Sequence, residues 1–112
     1  MEKIKKYQEI IISLLEEYEK DWTQPNSPIK YQVIADEKRN RFQLICIGWE
    51  NGNYYHNTVF HLDIINEKIW IQENNTDVQL APELLKNGVT SDTIVLGMKP
   101  EWKRQYTGFA IS

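Results

Sequence analysis

The stretch VFHLDIINEKIWIQ, residues 59 to 72, decides how the rest of the chain is read. Apolar and polar residues alternate on both sides of Asn66 and Glu67, the pattern of two half-buried strands joined by a two-residue turn. With those two residues as the loop, Ile64 faces Ile69, Leu62 faces Ile71, Asp63 faces Trp70 and His61 faces Gln72. One side of the hairpin is then Phe60, Leu62, Ile64, Ile69 and Ile71, which must be covered. The other side carries the polar groups, with Trp70 beside Asp63.

Upstream, FQLICIGW (42 to 49) is apolar in both alternating sets, as expected for a central strand covered on both faces. It leads into Asn51 and Gly52, both of which tolerate the positive φ of a type I′ hairpin turn. The two hairpins do not phase cleanly along the strand from about Tyr54 to Ile65, and a bulge near Tyr55 to Thr58 would repair this. Further back, Ile29, Tyr31 and Val33 alternate with Lys30 and Gln32 in a half-buried strand that the polar run DEKRNR ends. The segment TQPNSPIK (23 to 30) reads as a loop.

Cover for the apolar side comes from the N-terminus. Ile4, Tyr7, Ile11, Leu14 and Tyr18, with Ile10 and Leu15 beside them, recur at spacings of three and four and predict an amphipathic helix of about four to five turns. Fewer than three heptads favours packing on the chain's own sheet over a coiled-coil seam. Downstream, APELLKNG predicts a short helix with Pro82 in its first turn and Gly88 as a left-handed stop. TIVLG (93 to 97) then reads as a strand, KPEWKRQYTG as a turn or short helix, and FAIS as a terminal strand. The sum is a single α+β domain over residues 1 to 112. It has an N-terminal helix, an antiparallel four-strand meander, a short second helix and short C-terminal strands, with the helices on one side of the sheet.

Composition removes several classes of function. A net charge of −3 and a pI near 5.4 provide no overall field for nucleic acid or acidic membranes. Cys46, the only cysteine, excludes an internal disulfide or thiolate cluster, reads as a buried inert thiol and fits a reducing compartment. Charges interrupt the N-terminal apolar residues too often for a signal peptide or membrane span, so a cytoplasmic protein is expected. No glycine-rich phosphate loop, nucleophile elbow or metalloprotease helix motif occurs, and no cofactor is implied.

His61 and Asp63, at i and i+2 on a strand, share a face about 7 Å apart. A metal site or metal-dependent enzyme would need a third ligand from His56, Glu73 or Asp77. Strict alternation puts His56 and Glu73 on the opposite face and Asp77 in a loop. Lys and Arg concentrate in KRNR (38 to 41) and KPEWKRQY (99 to 106). The second segment interleaves Trp102 and Tyr106 with Lys103 and Arg104, a pattern that serves phosphate and base contact or a protein interface.

Together these motifs resemble the XisI family, the fdxN-element excision controlling factors of cyanobacteria. The resemblance runs from about Ile4 to Ser112 and is carried by GWENG, HLDIINEKIWIQ (61 to 72), APELLKNGV, DTIVLG (92 to 97) and KRQYTGFA (103 to 110), behind the helix YQEIIISLLEEY. Many relatives have a Gly-containing turn where this chain has Asn66 and Glu67. The resemblance implies a non-enzymatic accessory protein that acts with a XisH-type partner. Together they support a site-specific recombinase that excises a DNA element during heterocyst development. It implies no catalytic residues. His61, Asp63, Trp70, Trp102, Lys103, Arg104 and Tyr106 are therefore expected to form a partner-binding surface, with direct DNA binding through 38 to 41 and 99 to 106 as the alternative. A homodimer through the first helix or a sheet edge is also expected.

Overall fold

A computed structural model of the chain describes residues 2–112. Helix α1 (Glu2–Trp22) precedes strands β1 (Lys30–Asp36), β2 (Arg41–Glu50), β3 (Asn53–Ile65) and β4 (Lys68–Asn74). Helix α2 (Leu80–Lys86), a 3-10 turn (Ser91–Thr93), strand β5 (Ile94–Leu96) and the one-turn helix α3 (Glu101–Arg104) follow. The strands lie side by side in chain order, antiparallel from β1 to β4, and β5 then joins β4 in parallel. The expected meander is thus β1 to β4, with one strand added. The terminal FAIS segment forms a single bridge, Ala110 to Val95, in place of a strand. No helix among the described residues is long and apolar enough to cross a membrane.

Both tight turns form as their residues dictate. Asn51 and Gly52 have φ of 53° and 79°, and Asn66 and Glu67 have φ of 50° and 61°, so each hairpin closes through a two-residue loop of left-handed conformation. Ile64 pairs with Ile69, Leu62 with Ile71 and Asp63 with Trp70, as the alternation requires. His61, however, pairs with Glu73 and not with Gln72, because β4 holds one extra residue, Gln72, at the step from His61 to Leu62. The bulge in β3 lies at Val59, one residue beyond the expected window: Leu44 pairs with Phe60 and Ile45 with Thr58. Adjacent residues Val59 and Phe60 are both buried, as a bulge allows.

The core fills one side of the sheet. Tyr7, Ile11, Leu14 and Leu15 of α1 and Leu80, Ala81 and Leu84 of α2 are buried against Phe42, Leu44, Phe60, Leu62, Ile64, Ile69 and Ile71. Helix α1 runs to Trp22, further than the periodicity suggests, because Tyr18 and Trp22 stack on each other and on Phe60 with ring centroids 4.8 to 5.9 Å apart. The end of α1 and the residue after it also occupy part of the β1 edge: Thr23 Oγ1 accepts the Tyr31 N–H at 3.4 Å, and the Glu19 carboxylate accepts that of Val33. The Gln8 amide donates to the Glu37 carbonyl and Asn40 Oδ1 in the β1 to β2 turn. The opposite face is only partly covered. Strand β2, expected to be covered on both sides, buries Ile45 there but leaves Trp49 63% exposed.

Candidate functional site

The site occupies the sheet face away from α1. Phe42, Leu62, Ile69 and Ile71 turn into the core, so their neighbours Arg41, Gln43, His61, Asp63 and Trp70 turn to this face. The cross-strand row Asp36, Arg41, Asp63, Trp70 and Val95 traverses the whole sheet.

Beside that row is a closed polar network. His61 Nε2 lies 2.9 Å from Asp63 Oδ1, and Gln43 Nε2 lies 2.8 Å from His61 Nδ1. An amide nitrogen only donates, so Nδ1 accepts and the imidazole hydrogen sits on Nε2, where it is given to Asp63. The other Asp63 oxygen accepts from Gln72 Nε2 at 3.3 Å. His61 and Asp63 are half-buried, with side-chain exposures of 26% and 18%. Neither imidazole nitrogen is left for a metal or a substrate proton.

The two bulges overturn the parity expected for His56 and Glu73. The extra residue at Val59 brings His56 onto the face of His61, and the extra residue at Gln72 puts Glu73 directly opposite His61. Even so, no group of three His, Cys, Asp or Glu side chains able to hold a metal forms among the described residues.

Arg104 joins this surface to the C-terminal segment. Its guanidinium stacks over the Trp70 ring at 5.1 Å. Its Nε, Nη1 and Nη2 donate to the carbonyls of Lys99, Ile111 and Gly97 at 3.1 to 3.4 Å. The helices are therefore not confined to one side, since α3 reaches Trp70 on the face opposite α1. Trp102, Lys103 and Tyr106 project from the same segment. Trp102 and Tyr106 are 65% and 79% exposed, and Lys103 Nζ sits 5.2 Å from the Trp102 ring. Lys99, Trp102, Lys103, Tyr106 and Thr107 line a shallow groove there.

The fold thus gathers His61, Asp63, Trp70 and Arg104 into one contact, with Trp102, Lys103 and Tyr106 exposed next to Arg104 on α3 and the turn after it. Sequence reasoning missed Gln43 and Gln72. Gln43 carries a signal, as the only polar residue in FQLICIGW; Gln72 carries none, because its role depends on the bulge.

Comparison with known proteins places these features in a family. Residues 1–111 match the family model described as XisI protein. The crystal structure of a XisI-like protein from Anabaena variabilis ATCC 29413 superposes with a TM-score of 0.90 at 38% identity, covering 97% of this chain and 99% of that one. The fdxN element excision controlling factor XisI from the same organism superposes with a TM-score of 0.85 at 29% identity, covering 98% of this chain and 99% of that one. No curated protein matches.

Proposed function

Since the chain belongs to the XisI family, we propose that it is a cytoplasmic, non-enzymatic accessory factor for site-specific DNA excision. It acts by protein contact with a XisH-type partner and, through it, a recombinase. One observation carries this reading: the groups best suited to chemistry are engaged internally, while the large aromatics beside them are exposed. His61 spends both ring nitrogens on Gln43 and Asp63, and Arg104 spends its guanidinium on three carbonyls and Trp70. Trp102 and Tyr106 face solvent next to Lys99 and Lys103, and exposed Trp and Tyr side chains are the kind that dominate protein interface energetics. Co-expression with a XisH-type protein is expected to yield one complex on size exclusion at micromolar concentration. Replacing Trp102 and Tyr106 by Ala is expected to weaken it at least about tenfold. Two separate peaks for the native pair would refute the reading.

Direct DNA contact is a second reading, favoured by one feature of the register. Arg41 and Trp70 flank Asp63 on a single row, their backbones about 10 Å apart by strand spacing, so the basic turn ending at Arg41 and the Arg104 stacked on Trp70 lie toward one end of the sheet. A mobility shift that weakens steeply with salt and with Lys103→Ala would support it. No shift at low salt would remove it.

A further inference from the structure

Among the described residues, the first half of β3 forms a stretch of sheet edge with no strand or side chain paired to it. At β1 the outward N–H groups of Tyr31 and Val33 are taken by Thr23, just past α1, and by Glu19 of α1. At β5 the Ala110 N–H bonds the Ile94 carbonyl, and the chain after α3 lies along the strand. On β3, pairing with β4 reaches Phe60, after which Asn75 takes the Val59 carbonyl with its backbone N–H and the Thr58 carbonyl with its amide. Beyond that point, Asn53 to Asn57 have only β2 for a neighbour and are all exposed. Asn53 pairs with Glu50 to close the turn, so Asn53, Tyr55 and Asn57 direct their backbone groups to β2. Tyr54 and His56 direct theirs outward.

Protein edges of this kind are ordinarily blunted by charge or proline. Here no Asp, Glu, Lys, Arg or Pro occurs from Asn51 to Leu62. The arm also ends in an aromatic pair, Trp49 and Tyr54, with ring centroids 5.1 Å apart and exposures of 63% and 52%.

We propose that this edge pairs with the same edge of a second copy of the chain, in an antiparallel two-fold centred on Tyr55 that joins two sheets into one. Tyr54 of each copy lies opposite His56 of the other and exchanges two backbone hydrogen bonds with it. Tyr55 meets its own symmetry mate. Pairing centred further along β3 would compete for the Thr58 carbonyl, which Asn75 already holds. A second copy is the occupant because an antiparallel two-fold requires only one edge sequence, and the neutral segment lets two chains of net charge −3 meet without opposed like charges. Elsewhere, the apolar face of α1 is spent on its own sheet, and on β1 the Tyr31 and Val33 N–H groups are already taken.

Sedimentation equilibrium of the full chain from about 1 to 100 µM tests this, a range suited to an interface smaller than the usual stable contact. The mass is expected to rise with concentration toward twice the 13.3 kDa of one chain. Tyr55→Lys and Tyr55→Glu, which oppose like charges at the two-fold, are each expected to weaken the dimer at least about tenfold, and mixing the two is expected to restore it. His56→Pro removes an outward N–H where an edge strand tolerates proline, and is expected to abolish the dimer with the far-ultraviolet circular dichroism unchanged. A native chain that stays monomeric at 100 µM, or a dimer that survives both Tyr55→Lys and His56→Pro, overturns the proposal. The proposal is independent of the XisH-type partner, so failure of one leaves the other standing.

Discussion

The carboxylate of Glu19, on the fifth turn of α1, accepts the Val33 N–H of β1 at 2.9 Å. A helix side chain thereby takes up an outward donor of the edge strand, binding the helix to the strand that follows it and removing one group through which another chain could pair. Glu19→Ala leaves the N–H unpaired in a half-buried site and is expected to cost about 1 to 2 kcal/mol. Glu19→Gln, which keeps an acceptor oxygen, is expected to recover at least about half of that loss. Thermal denaturation measures both; equal losses for the two would show that the hydrogen bond contributes nothing.

Glu67 holds φ at 61° with a full side chain, in a turn position suited to glycine. Glu67→Gly relieves about 1 to 2 kcal/mol of left-handed strain and forfeits about 0.5 to 1 kcal/mol of chain entropy. A net gain near 0.5 to 1 kcal/mol is expected, seen as a melting temperature raised by a few degrees.

Gly48 and Gly52 both have positive φ, but a side chain would meet different surroundings. At Gly48 an added Cβ would collide with the Pro28 carbonyl, whereas at Gly52 it would meet nothing within 4 Å. Gly52→Ala is expected to cost about 1 kcal/mol for its backbone conformation alone. Gly48→Ala is expected to exceed that by a further 1 to 3 kcal/mol or so, because backbone cannot move aside as a side chain can. Denaturant melts of the two variants give the comparison, and equal costs would mean that the loop at Pro28 yields freely.

Arg104→Lys preserves the charge but cannot reach three carbonyls while lying flat on Trp70. A loss of about 1 to 2 kcal/mol is expected, concentrated in the C-terminal segment. Hydrogen exchange should show the Ala110 amide losing protection while Ile64 and Leu62 in the central strand keep theirs.

The Arg39 backbone N–H, donated to Asp36 Oδ1, is the main cause that holds the Asp36 carboxyl below the usual carboxylate range. A depressed acid contributes stability above its unfolded value near pH 4 and loses it as pH falls through the lower folded value. Asp36→Ala is therefore expected to melt below the native chain throughout pH 5 to 8 and to converge with it near pH 2. A gap of constant size down to pH 2 would contradict this.

The hairpin from residue 59 to 72 is legible in the sequence because its alternation and its turn agree, and three of four cross-strand pairs follow from it. His61 is the exception, and the cause is physical. A bulge preserves alternation on each side of itself and changes only the phase between them, so nothing in Gln72 or Glu73 marks which one is extra. Strand β5 is too short for its three residues to declare a period, and its parallel partner depends on the crossover through α2. Arg104 is visible in the sequence as a basic residue beside aromatics, but its partners are backbone carbonyls, which leave no side-chain signature.

The order of strands in the sheet is the order of strands in the chain, and α1 docks on β1, the element that follows it. Most pairing is therefore between neighbours along the polypeptide, and loops closed in folding are short. For a protein so rich in sheet, this topology is expected to fold in milliseconds and not seconds. The hairpins at Asn51–Gly52 and Asn66–Glu67 are expected to form early. The parallel closure of β5 is expected to come last, and because Ile94 belongs to the core while Val95 lies in the row of Trp70, the same step finishes the core and the Trp70 and Arg104 surface.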